Sequence, residues 1–184
     1  MLAIPFMEIS APAREAALDA SPQSFAAFYD RALPRVYGYF FYRCGGAATV
    51  AEDLTQETFL AAVAELKKGK RVRQPSAWIY GIARHKLLDH YRREQRADRQ
   101  LTVVPALEVD GELVVPDETE ARERATAALA SVASSQRAAL VLCYVDGYSV
   151  GEAAQLLGKS TEAVESLLAR GRQTFKRAYL EEPA

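Results

Sequence analysis

The chain has 184 residues, enough for one domain or two small ones. Apolar residues make up 49% of it, which excludes wholesale disorder, and a formal net charge of −1 argues against a uniformly basic nucleic-acid binder. Cys44 and Cys143 stand far apart in no metal-ligand spacing and fit a reducing, cytoplasmic setting, and no apolar run approaches the ~20 residues of a membrane span.

The start, Met1 to Met7, is apolar but has neither a basic n-region nor a long apolar core, so it does not read as a signal peptide. Residues 1–20 read as a flexible extension or a regulatory arm. Ser21-Pro22 then supplies an N-cap and a first-turn proline. The helix it opens carries Phe25, Phe28, Leu33, Val36, Tyr37 and Phe40 and stops at Gly45-Gly46. Thr49-Val-Ala-Glu52 has the form of a capping box and predicts the start of a second helix. Phe59, Ala62, Val63 and Leu66 give that helix an inner face. Asp53, Gln56 and Glu57, spaced i, i+3, i+4, project together from its polar side.

A basic loop, Lys67 to Gln74, leads to Pro75 and a long third helix reaching about Arg96, with Ile79, Ile82, Ala83 and Leu87 inward. Charge is segregated here. Residues 67–100 carry eleven bases and three acids, a net of +8, whereas residues 101–124 carry seven acids and two bases, a net of −5. A basic block beside an acidic one suggests polyanion binding next to a segregated acidic segment. Leu101 to Pro116 breaks the helical period and reads as an acidic linker, with a short strand as the alternative.

Asp117-Glu-Thr-Glu120 is a further capping box and begins the second domain. Helices are expected to about Ser131 and from Ser134 to Val145, with Asp146-Gly147 as the turn. Ser149-Val-Gly-Glu152 caps a short helix with Val150, Ala153, Ala154 and Leu157 inward. Gly158-Lys159-Ser160 then turns the chain into a last helix with Val164, Leu167, Leu168 and Phe175 inward. Short helix, glycine turn and second helix make a helix-turn-helix. The fold class expected is therefore all-α: two small helical domains, residues 21–99 and 117–182, joined by an acidic linker at 100–116, the second containing the helix-turn-helix. No nucleophile–base pair, phosphate-cradling glycine loop or metal cluster is evident, so no enzyme, cofactor or metal is expected.

Three segments in this order resemble the extracytoplasmic-function sigma factors of the sigma-70 superfamily. Ala51-Glu-Asp-Leu-Thr-Gln-Glu-Thr-Phe-Leu60 resembles the family's core-polymerase-binding helix. Trp78-Ile-Tyr-Gly-Ile-Ala-Arg84, with Asp89 and Arg92-Arg93 after it, resembles its −10 helix. Gln136-Arg137, Tyr144 to Ser149, Glu152-Ala-Ala154, Gly158 and Val164-Glu-Ser166 resemble its −35-binding domain. The resemblance implies an alternative sigma factor acting with core RNA polymerase on promoter DNA. It implies contacts to the β′ clamp helices through Asp53, Gln56 and Glu57, and to the β flap.

The same resemblance implies −10 binding through Lys68, Lys70, Arg71, Arg73, Trp78, Arg84, His85, Arg92 and Arg93. It implies −35 binding through Lys159, Ser160, Thr161, Glu162, Glu165, Ser166, Arg170 and Arg172. It further implies an anti-sigma partner, a cytoplasmic location, no membrane insertion and no obligate homo-oligomer. The linker is expected to thread toward the polymerase active centre and RNA exit path.

The chain departs from the family pattern at two places. Pro75-Ser76 stands where many members have an aromatic-basic pair. Glu165 and Leu167-Leu168 stand in the recognition helix where many are more basic, and its positive charge comes late, at Arg170, Arg172, Lys176 and Arg177. Glu162 or Glu165 is placed to accept from a cytosine amino group, or is a solvated acid. Trp78 is open to a structural reading as well as a base-stacking one. Two other functions compete: a stand-alone helix-turn-helix regulator, which leaves the Asp53 face and the basic block unexplained, and a sigma-like chain that occupies polymerase without opening promoters.

Overall fold

A computed structural model describes residues 17–19, 21–98 and 118–180, and every element of any length within them is helical. The helices are α1 (Pro22–Arg43), α2 (Ala48–Lys67), α3 (Pro75–Asp98), α4 (Glu118–Ala130), α5 (Ser134–Leu140), α6 (Val150–Leu157) and α7 (Thr161–Leu180). A π-helical turn, Val141–Val145, continues α5. The all-α expectation holds. The described chain divides into two compact units: one comprises the chain through Tyr42 together with Ala47–Leu87, and the other comprises Arg43–Gly46 together with the chain from Leu88 onward. The segment read as an acidic linker, residues 100–116, and most of residues 1–20 lie outside the described residues, as does Asp117 of the expected capping box.

In the first unit, α1 begins as the sequence indicates. Pro22 takes the first helical position, and the Ser24 N–H donates to Ser21 Oγ at 3.3 Å. Residues at helical spacing, Phe28, Ala32, Val36 and Phe40, are buried and form its inner stripe. Burying a side chain such as Phe40 contributes roughly 1.5–3 kcal/mol. Tyr29 of α1 meets Phe59 of α2 edge to face at 4.7 Å, and Tyr39 meets Tyr80 of α3 at 5.6 Å, so the three helices close around one aromatic-rich core. Thr55 and Thr58 lie in that core. Each returns its hydroxyl to the carbonyl four residues back, Ala51 and Leu54, which satisfies an otherwise costly buried donor.

The expected capping box at Thr49 is not formed. Helix α2 begins at Ala48, with Ala47 as N-cap and no side-chain cap, so Thr49 is already inside the first turn and Glu52 lies beyond the N3 position that a box requires. Tertiary packing of Ala51, Leu54 and Phe59 stabilises this helix start without a local cap.

In the second unit, α7 is the hub and packs against α4, α5 and α6. The close approach of α7 to α5 depends on Gly171, where an added Cβ would stand 3.2 Å from Gln136 and Leu140 side chains. Ser149 and Glu152 form the expected reciprocal cap of α6: the Glu152 N–H donates to Ser149 Oγ, and the Ser149 N–H donates to the Glu152 carboxylate. Gly158 ends α6 in the left-handed conformation at φ 62°, which a β-carbon would oppose. Within this unit Arg43 forms a mostly buried ion pair with Asp146 at 2.7 Å, and the Tyr91 hydroxyl donates to the Arg43 carbonyl at 3.0 Å.

Candidate functional site

Helix α2 turns most of its hydrophobic residues inward and leaves Asp53 and Gln56 exposed. Leu60, one turn beyond Gln56 on the same line, is 70% exposed, the larger of two such values among the big apolar side chains described. Glu57 is only half exposed and accepts from Lys86 Nζ of α3 at 3.0 Å. The trio read from spacing therefore separates. Asp53 and Gln56 are open to a partner, while Glu57 is partly engaged in joining α2 to α3. Leu60 was missed because an apolar residue on a polar face carries no signal in the sequence.

The basic loop between α2 and α3 is braced at both ends. Leu18 and Val72 form an isolated antiparallel bridge, exchanging N–H···O bonds of 2.9 Å each, and both side chains are buried. Glu65, in the last turns of α2, accepts from Lys70 Nζ and, at 3.1 Å, from Trp78 Nε1, while Lys70 also lies 5.4 Å from the centre of the Trp78 ring. These bonds, Lys70 foremost and then Trp78, hold the Glu65 carboxyl below its ordinary pKa. Trp78 is thus half-buried and tethered. Lys68, Arg71 and Arg73 are exposed around the braced loop, and Gly69 at φ 84° allows its first turn.

Along α3, Arg84, His85 and Arg93 are exposed. Arg92 is half-buried. It donates to Asp89 Oδ1 at 3.2 Å and, within its own compact unit, to the Leu156 carbonyl at 2.9 Å. The residues expected on DNA at −10 thus fall into an exposed loop set and a helical set, with Lys70, Trp78 and Arg92 carrying internal bonds.

In the helix-turn-helix, Val164, Leu167, Leu168 and Gly171 of α7 are buried. The opposite face presents Thr161, Glu162, Glu165, Ser166, Ala169 and Arg172 to solvent. Ser160 caps the helix, accepting from the Ala163 N–H at 3.2 Å. Glu162 is drawn into the same cap. Its own N–H and then the Ser160 hydroxyl hold its carboxyl below the ordinary pKa. Lys159 is half-buried, and Arg170 bends back to the Ser166 carbonyl at 3.3 Å. Arg172 donates to the Tyr144 hydroxyl at 3.1 Å. Tyr144, 51% exposed on the π-helical turn, joins this face through that bond; the sequence placed it in the segment resembling the −35-binding domain but held no sign of a contact with Arg172. The wider turn offsets it from the periodicity of α5.

Residues 28–97 match the family Sigma-70 region 2, and residues 122–175 match Sigma-70, region 4. The chain belongs to the sigma-70 family. Among the relatives of this sigma factor is the ECF RNA polymerase sigma factor BldN of Streptomyces coelicolor, 32% identical over 84% of this chain. The match spans 60% of the length of BldN. The ECF RNA polymerase sigma factor SigL of Mycobacterium tuberculosis is 33% identical over 86% of both chains. These relatives place the sigma factor in the extracytoplasmic-function group. A solved structure of the sigma factor RpoE with the anti-sigma factor NepR from Bartonella quintana is similar at a TM-score of 0.46 and 19% identity, covering 88% of this chain and 99% of that one. The α2 face and the basic loop lie inside the region 2 match and the helix-turn-helix inside the region 4 match, whereas Leu18 precedes both. No described helix is long and apolar enough to cross a membrane.

Proposed function

We propose that this sigma factor acts in the cytoplasm, without enzymatic activity of its own, as an alternative initiation factor. It binds core RNA polymerase through α2, holds melted −10 DNA through the α2–α3 loop and α3, and reads −35 duplex through α7. Residues 21–99, 100–116 and 117–182 are the working division into a polymerase- and −10-binding part, a linker and a −35-binding part. The observation that carries the reading is the order of the two family matches, together with an exposed carboxylate–amide face on the first and a helix-turn-helix in the second.

Asp53 and Gln56 suit a basic, polar partner surface such as the β′ clamp helices, with Glu57 contributing as far as its pairing with Lys86 allows. Region 4 is assigned the β flap as its second polymerase contact. Lys68, Lys70, Arg71 and Arg73 track phosphates of a single strand, joined along α3 by Arg84, His85, Arg92 and Arg93, and the braced loop beside Trp78 receives an unstacked base. Thr161, Glu165 and Ser166 face base edges, while Lys159, Arg170 and Arg172 supply positive charge. Ser160 and Glu162 set the start of that helix. An anti-sigma factor that covers these surfaces is the expected partner in the silent state.

The test is run-off transcription on fragmented host genomic DNA with purified core polymerase, with and without the protein, sequencing transcript 5′ ends. New starts sharing −35 and −10 elements are expected. Core binding without new starts would instead favour a sigma-like chain that occupies polymerase, and neither binding nor new starts would leave a stand-alone DNA-binding regulator.

A further inference from the structure

The outward face of α7 carries two carboxylates, and the structure treats them differently. Glu162 stands exposed in the first turn, beside the Ser160 cap, where its own N–H and then the Ser160 hydroxyl draw its carboxyl below the ordinary pKa. Glu165 lies one turn further on, exposed, and among the described residues nothing hydrogen-bonds its side chain. Thr161 one turn before it and Ala169 one turn after it are exposed and lack positive charge, so Glu165 stands in a stretch of the face without a neighbouring cation on its line. The first turns of a recognition helix are those that reach base edges. We propose that Glu165 is a specificity-determining residue of the −35 contact, accepting from the N4 amino group of a cytosine and selecting a C·G pair at one position.

This rests on the reading of α7 as the −35 helix. The selection follows from the major-groove pattern. Cytosine presents a donor there, guanine and thymine present acceptors that repel a carboxylate, and adenine pairs its donor with the N7 acceptor beside it. A carboxylate facing a polyanion also weakens binding to every sequence, so it improves recognition only where a donor meets it. Positive charge on the helix sits further along, at Arg170, half-buried, and at Arg172, exposed and bonded to Tyr144. Phosphate attachment and base choice are thereby divided between the middle and the first turns of one helix.

The experiment uses the full chain with core polymerase on a promoter pool randomised through the −35 element, reading transcript abundance per sequence. The wild type should enrich one C·G pair, on the order of tenfold over the other pairs at that position. Glu165→Gln should move that preference to A·T, with adenine in the cytosine's place, because an amide pairs with adenine N6 and N7. Glu165→Ala should flatten the position while keeping or raising initiation from the other sequences. Glu162→Gln should leave the base preference as it was. A −35 preference that is indifferent to Glu165, or one that follows Glu162 instead, would overturn the assignment while leaving the sigma reading intact. A pool that yields no specific starts with the wild type would remove the sigma reading and this inference with it.

Discussion

Asp53 and Glu57 sit one turn apart and look equivalent in the sequence, yet their surroundings separate them. Asp53 is open, whereas Glu57 is held by Lys86 at 3.0 Å. Asp53→Arg should therefore weaken core-polymerase binding by about tenfold or more, and Glu57→Gln by clearly less, as measured by fluorescence anisotropy with labelled sigma factor. Equal losses would mean that the Lys86 pair opens on binding. Glu65 makes a second residue-scale case. Glu65→Gln gives up the charge that gathers Lys70 and Trp78, so promoter opening, followed by permanganate reactivity of unpaired thymines, should slow several-fold while polymerase affinity stays unchanged. Cys44 differs again, because burial pushes its thiol up to about 12. At pH 8 it stays protonated, and although partial burial raises the Cys143 thiol as well, iodoacetamide should modify the less buried Cys143 of the native protein well ahead of Cys44. Labelling of Cys44 at the rate of a free thiol would show that the end of α1 opens.

At the scale of elements, a helix is secured by its own cap or by what it packs against. Helix α6 takes the first route. Its Ser149–Glu152 cap keeps the Glu152 carboxyl below its ordinary pKa, the Ser149 hydroxyl contributing most and the backbone N–H next. A depressed folded-state pKa gives stability that is present at neutral pH and is lost as pH falls below the ordinary carboxylate range and through the lowered value. The acid-side fall in melting temperature should thus be smaller in Glu152→Gln than in the wild type, an equal fall pointing to other carboxylates. Helix α2 takes the second route, starting at Ala48 with no side-chain cap and relying on burial of Ala51, Leu54 and Phe59. Helix α7 depends on close approach. Gly171→Leu would drive a side chain into Gln136 and Leu140, which stand 3.2 Å from the nearest β-carbon position, and should cost about 1–3 kcal/mol in denaturant unfolding.

For the whole molecule, the near-neutral total hides a working separation of charge: net +8 over residues 67–100 against −5 over residues 101–124. Neutralising Lys68, Arg71 and Arg73 together should lower open-complex formation at least tenfold and flatten its dependence on salt, with polymerase binding little changed. Equal loss of both would point to misfolding or to a different role for the loop. The sequence by itself determined the helical elements, the capped α6, the glycine turn into α7, much of each inner stripe and the two matched regions in order. Each of these is written in local spacing, whether 3.6-residue periodicity or residue types at fixed offsets. Only the tertiary structure decided that α2 starts without a cap, that Leu18 pairs with Val72, that Glu65 gathers Lys70 and Trp78, that a π-helical turn brings Tyr144 beside Arg172, and that Glu165 is exposed with no side-chain partner among the described residues. The cause is the same in each case: contacts between residues far apart in sequence, or competition for one hydrogen-bonding group, are set by packing and leave no period to read.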